Sequence, residues 1–294
     1  MSRKRTLERL IADAEQRLRL AHQDIQKVES ELAQLKRRLD EARLADQQLP
    51  LPLPARARPK GPNATIYETY RYGQLLDVLL LDDRQYRSQP ACVGGGRPTT
   101  VPDCPERTEE ARTMLGAAQE AWLDAAIRTS KARWTVVAQQ TLMAELDRGE
   151  AGARRFWMDG WDGYPAARRR LLDSIATHKP RNAVVIGGDR HAYFAADLAR
   201  DPARPTAPPI ATEFVGTSIT AQGPNATALA AALKANSHVK YARSDIHGYP
   251  TVELTPARCT VGFEAIGDEK QKQSPVRRLA TFVVEDGVAG VKPG

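Results

Sequence analysis

Residues 184–193 read Val184-Val185-Ile186-Gly187-Gly188-Asp189-Arg190-His191-Ala192-Tyr193. A short apolar run is stopped by two glycines, and an acid and an imidazole follow two positions apart. A continuous apolar run of this length, rich in β-branched residues, reads as a strand buried on both faces. In open α/β sheets, ligands collect beyond the carboxyl ends of such strands. The stretch therefore points to an α/β fold and to the place where chemistry belongs. Its polar end has two readings. In one, Asp189 and His191 face a single cation from the loop, with oxygen and nitrogen donors that suit iron, manganese, zinc or calcium. In the other, Asp189 caps the next turn and His191 packs locally.

Working outward, three further apolar runs resemble the first. Residues 75–81 are apolar except for Asp77, and residues 134–138 and 210–215 predict two more strands. Residues 107–132 predict a helix. Pro165 opens another that runs to about His178, since proline suits the first helical turn. The tail predicts antiparallel strands over 250–254, 259–266 and 279–284. Together these elements predict a mixed sheet with flanking helices.

Each apolar run ends in polar residues, so four strand ends are expected to converge. After the first come Asp82, Asp83, Arg84 and Gln85. After the others come Gln139-Gln140, Gly187 to His191, and Gly216-Thr217-Ser218. Arg84 is a candidate fork for phosphate, or a structural partner of Asp82 or Asp83. Trp161, Asp162 and Tyr164 either shape a pocket wall or anchor the loop before Pro165. His238 and His247 are isolated, and a lone histidine is more often a surface or core residue than a ligand. There is no Gly-x-Ser-x-Gly elbow, no Walker loop and no dinucleotide fingerprint.

The N-terminal part is built differently. Ile11, Leu18, Ile25, Leu32 and Leu39 alternate with Leu7, Ala14, Ala21, Val28 and Leu35 in unbroken steps of four and three. That is a coiled-coil heptad over residues 1–45, which predicts a homo-oligomer or a partner helix. The alternative is one long helix packed on its own domain. Residues 46–64 are a proline-rich linker, with Leu49-Pro50-Leu51-Pro52-Leu53-Pro54 at its centre. Residues 65–294 make up the α/β region.

With 41% apolar and 27% charged residues, the chain has the composition of a soluble globular protein. The net charge of +7 is scattered, and Arg168-Arg169-Arg170 reads as a solvated helix face, so no nucleic-acid partner is expected. No apolar region follows the basic N-terminus and no stretch is long enough to span a bilayer, which predicts a cytoplasmic protein without a membrane partner. The three cysteines are an odd number, against a disulfide framework. Cys92 and Cys104 read as free or structural thiols, with pairing or metal binding as the alternatives.

Taken in order, the segments resemble the C-terminal half of the catalytic domain of PhoD-like alkaline phosphatases, a branch of the metallophosphoesterases. The resemblance covers about residues 66–284. It rests on Tyr70-Arg71-Tyr72-Gly73, Leu81 to Arg87, Arg112 to Gly116 with Gln119 to Leu123, Trp134 to Gln140, Asp159 to Pro165, Gly188 to His191, Glu213 to Ile219, and His247-Gly248-Tyr249. The resemblance implies a layered α/β sandwich, here partial. It also implies a metal-dependent hydrolase of phosphomonoesters and phosphodiesters, with iron and calcium as its metals. Asp189 and His191 fall on the family's metal-binding Gly-Asp-x-His segment. The family carries most of its metal ligands in an N-terminal half, where this sequence has the heptad and the linker. The resemblance therefore implies either impaired activity or a non-catalytic assembly protein built on half of a phosphatase. A half sandwich is also expected to leave a sheet face or edge uncovered.

Overall fold

The computed structural model describes residues 16, 26, 29–32, 34, 64–94, 99–150, 152–201 and 207–294. The chain divides into two units, Met1–Ala64 and Thr65–Gly294. In the first, residues 16, 26, 29–32 and 34 are helical and exposed. The rest of the heptad reading, and the linker apart from Ala64, lie outside the described residues.

The second unit begins with β1 (Glu68–Tyr72), β2 (Leu76–Leu80) and β3 (Thr100–Pro102), then α1 (Gly116–Thr129), β4 (Trp134–Ala138) and β5 (Arg155–Trp157). It continues through α2 (Pro165–His178), β6 (Ala183–Gly187), β7 (Tyr193–Leu198), β8 (Ala211–Val215), α3 (Ala226–Leu233) and β9 (Val239–Arg243). It closes with β10 (Gly248–Leu254), β11 (Arg258–Ile266), β12 (Val276–Glu285) and β13 (Val288–Pro293).

One sheet has the order β1-β2-β4-β6-β8-β7-β9. Its centre is parallel, from β2 through β4 and β6 to β8, and its margins are antiparallel. A second, antiparallel sheet has the order β10-β11-β12-β13, and β3 pairs with β5 in a small ribbon.

The central strands read as continuous apolar runs because both of their faces are covered. Successive side chains point to opposite faces. Trp134, Val136, Val184, Tyr193 and Phe214 meet Phe263, Phe282 and Val284 of the second sheet. Val137, Val185, Phe194 and Val215 pack with Leu123 and Ile127 of α1 and Leu171 and Ile175 of α2. The inter-sheet layer is aromatic: the Phe263 ring stacks on Tyr193 at 4.4 Å and meets Phe282 at 5.3 Å. Each such side chain contributes roughly 1.5–3 kcal/mol on burial. The central strands are therefore packed on both faces, and β1 and β9 are the edges of this sheet.

Several expectations need correction. The helix expected over 107–132 begins only at Gly116, after a 3-10 turn at Pro105–Thr108. Gly116 has φ +73°, and a Cβ there would lie 2.9 Å from Tyr86 Cβ, so the backbone enters α1 through a left-handed turn that glycine permits. Arg168 is not on a solvated face. Its side chain is 2% exposed and bonds Asp162 Oδ1 at 2.8 Å and Glu145 Oε2 at 2.6 Å. Strands β7, β9 and β13 were not read from the sequence at all; β7 starts two residues after His191, where the polar loop masked it.

The cysteine reading is also corrected. Cys92 and Cys104 form a disulfide with Cα atoms 6.5 Å apart. The Cys92 amide donates to Glu106 Oε2 at 2.8 Å, which draws the two strands of chain together. Cys259 is the free thiol, buried between the sheets, and burial pushes it up to about 12.

Candidate active site

Because β2, β4, β6 and β8 are parallel neighbours, their carboxyl ends lie along one edge, as the polar residues after each run predicted. Hydrogen bonds tie each end to the next. Gln140 Oε1 accepts from the Asp83 amide at 2.6 Å, and the Gln140 amide donates to Asp83 Oδ2 at 3.0 Å. The Gln139 amide donates to Ile186 O at 3.0 Å, and the Gly216 amide to Gly187 O at 3.0 Å.

Gly187 and Gly188 are not equivalent. A Cβ on Gly187 would lie 2.1 Å from Thr141 O, whereas one on Gly188 would meet only Gln140 O at 3.8 Å. The first glycine is there for close approach between strand ends. The sharp turn falls on the functional candidates themselves: Asp189 has φ +59° and His191 φ +52°. Non-glycine residues are held there at some conformational cost, and such strain gathers at functional sites.

Asp189 Oδ2 accepts from Arg84 Nη2 at 2.7 Å. Arg84 Nη1 bonds Asp159 Oδ2 at 3.0 Å, and Arg87 Nη2 bonds Asp159 Oδ1 at 2.8 Å. Arg84 therefore pairs with neither Asp82 nor Asp83. Burial opposes its charge, but Asp189 and Asp159 outweigh that and raise its pKa. His191 Nδ1 contacts Gln222 O at 3.0 Å. Between the two candidates, the Arg190 guanidinium lies over the Trp157 ring at 3.8 Å. His247 Nδ1 lies 3.3 Å from Ser218 Oγ, at the end of β8.

The other acids are committed elsewhere. Asp82 accepts from the Arg84 and Gln85 amides at 2.9 and 3.0 Å, closing the turn after β2. Asp83 is fully buried, its Oδ1 has no hydrogen-bond partner, and burial pushes its carboxyl up to about 6. Asp162 belongs with Arg168; Trp161 Nε1 donates to Gln139 Oε1, and Tyr164 Oη to Ser88 O at 2.6 Å. Those three residues anchor the loop before α2. His238 Nε2 contacts Glu145 O at 2.7 Å, and burial lowers its pKa, as suits a packed histidine.

Asp159, Arg87 and Trp157 were missed in the sequence. The signal for Trp157 and Asp159 was an aromatic and acidic stretch whose neighbours are structural, and for Arg87 the polar run after Leu81.

In kind, Asp189 and His191 suit a metal. In number they fall short of a closed site. Among the described residues, the group of three acids, histidines or cysteines whose donor atoms converge is Cys92, Cys104 and Glu106, and it does not include them.

A family model described as PhoD-like phosphatase matches residues 27–263. Alkaline phosphatase D of Bacillus subtilis (strain 168) is 33% identical over 245 residues, which cover 82% of this chain and 41% of that protein. A solved structure titled "Structure of PhoD" superposes with a TM-score of 0.74 at 31% identity, covering 85% of this chain and 47% of that one. The chain thus spans less than half the length of either relative. The matched model and the shared mixed α/β architecture place it in the PhoD-like phosphatase family.

Proposed function

We propose that residues 65–294 form the strand-end wall of a metal-dependent phosphoric ester hydrolase acting on phosphomonoesters or phosphodiesters. One observation carries this reading: the ion pair of Arg84 with Asp189 at 2.7 Å puts a phosphate-type cation against a metal-type acid beyond four parallel strand ends. Asp189 and His191 are the proposed metal donors, with iron and calcium as the metals that the resemblance implies. A bound metal would neutralise phosphate charge and activate water. Arg84 and Arg87 would orient the ester oxygens. Asp82, Asp162 and the Oδ2 atom of Asp83 are engaged in structural bonds, so further donors would come from Asp83 Oδ1, a histidine of this chain or a second polypeptide.

The test is hydrolysis of a bis-aryl phosphate by the purified chain, with iron, calcium, manganese or zinc added singly and together. Turnover that disappears in Asp189→Asn supports the proposal. No co-purifying metal and no turnover under any of these conditions would sink it.

A second reading has its own observation. Leu32, at an a position of the heptad, is helical and 51% exposed. A coiled-coil assembly protein with a degenerate phosphatase region would bury that leucine against a partner helix. It predicts self-association that is lost on deleting residues 1–45, without activity in either form; a monomer in sedimentation argues against it.

No helix among the described residues is long and apolar enough to cross a membrane. Cytoplasmic residence was expected from the N-terminal composition. The Cys92–Cys104 disulfide is the observation against it, since cytosolic thiol pools keep such pairs reduced.

A further inference from the structure

We propose that the Cys92–Cys104 disulfide is a redox-sensitive clamp on the wall that carries Trp157 and Asp159 to the candidate site. The inference rests on the geometry of that wall and not on the hydrolytic reading.

The bridge closes a stretch with a sequence separation of 12. One residue beyond Cys104 toward the ribbon, the Asp103 amide donates to Arg154 O at 3.0 Å. Then β3 pairs with β5 through Thr100↔Trp157, Val101↔Phe156 and Pro102↔Arg155. The Met158 amide donates to Thr99 O at 3.1 Å, and Asp159 follows. The disulfide is thus joined by a short, continuous ladder to the carboxylate that binds Arg84 and Arg87 and to the ring beneath Arg190.

Apart from the bridge, the ladder is held largely by polar and charged groups: Arg107 bonds Asp103 Oδ1 at 2.7 Å and lies over the Phe156 ring at 3.8 Å, and Arg155 Nη2 donates to Thr100 O at 3.1 Å. Three-residue strands are marginal on their own. The small core behind them consists of Ala91, Phe156 and Met158, with Cys92, Val93 and Val101 packed on it. Elements with so few buried apolar contacts open most readily. Both cysteines are half-buried, so a reductant can reach the sulfurs. A dithiol of the thioredoxin type attacks one sulfur, forms a mixed disulfide and resolves it with its second thiol. Two electrons and two protons pass to Cys92 and Cys104, and the reductant leaves as its own disulfide. In a thiol-rich compartment the clamp is open; in an oxidising one it is closed.

The test is amide hydrogen exchange followed by mass spectrometry on the full chain, oxidised and after treatment with dithiothreitol. Reduction is expected to add two hydrogens to the mass. It should also speed exchange at the Asp103, Phe156 and Met158 amides by about tenfold or more, while β4 stays protected. The double variant Cys92→Ser/Cys104→Ser should exchange like the reduced protein and respond no further to dithiothreitol. Equal protection in the two redox states would overturn the proposal. So would alkylation of both cysteines without reductant, or a response to dithiothreitol that persists in the double variant.

Discussion

Arg168 and Arg84 each sit between two carboxylates. Arg168 bonds Asp162 at 2.8 Å and Glu145 at 2.6 Å, and its side chain is 2% exposed. Arg84 bonds Asp189 at 2.7 Å and Asp159 at 3.0 Å, and its side chain is 35% exposed. The distances are alike, and the surroundings separate the roles. Around Arg168 the partners are buried Asp162, partly buried Glu145 and the Met143 carbonyl, so the cluster locks the base of α2 to the loop before it. Around Arg84 the partners lie at the strand-end edge, and Asp189 is held in a left-handed backbone conformation. The pair inside the fold is architecture; the pair at the edge is the one proposed to exchange with a ligand.

The largest expected effect breaks the buried cluster. Arg168→Leu leaves buried Asp162 without its ion-pair partner, with Glu145 still paired to Arg154, and one-sided removal of a buried pair costs about 3–5 kcal/mol. Chemical denaturation should show that loss, and a change below about 1 kcal/mol would contradict the architectural reading.

Next come the two glycines at the carboxyl end of β6. Gly187→Ala puts a methyl group 2.1 Å from Thr141 O and should lose about 1–3 kcal/mol. Gly188→Ala meets nothing closer than 3.8 Å and should stay within about 0.5 kcal/mol of the parent protein. Equal melting temperatures for the two variants would refute the close-approach argument.

Asp83 offers a pH test. Burial raises its carboxyl from 3.8 to about 6 in the folded chain. Between those values the folded state holds a proton that the unfolded state has released. Its contribution to stability is therefore present below the unfolded pKa and is lost as pH rises through about 6. Asp83→Asn removes the ionisation. Relative to the parent, the variant should gain up to about 2 kcal/mol on going from pH 4 to pH 8. A pH-independent difference would contradict the burial argument.

The smallest stability effect belongs to Arg84→Gln. A partly exposed pair contributes little, so unfolding should change by less than about 1 kcal/mol. If the edge cluster is functional, the same variant should lose most phosphate-ester turnover. A large loss of stability would place Arg84 with Arg168 as architecture.

Much of the fold was legible because burial on both faces writes itself as unbroken apolar runs. The runs ending at Leu81, Ala138, Ile186 and Val215 marked the four parallel strands and, through the residues after them, the site edge. Pro165 marked the start of α2. What stayed hidden depends on contacts distant in sequence. Nothing local distinguishes Asp159, which reaches Arg84 across 75 positions, from Asp162, which turns inward to Arg168. The Cys92–Cys104 pairing was equally hidden, because the ribbon of β3 and β5 that fixes it is only three residues wide. The left-handed turn after β6 was also hidden, since it falls on Asp189 and His191 and not on the paired glycines.

The most direct test of the contrast between the two arginine clusters is equilibrium dialysis of the folded chain against iron, calcium, manganese and zinc, with Asp189→Asn dialysed beside it. The account predicts saturable binding of at least one metal to the parent chain, abolished in Asp189→Asn while the melting temperature is unchanged. Undiminished binding to Asp189→Asn, or no saturable binding to the parent, would contradict the assignment of the strand-end edge as the functional site.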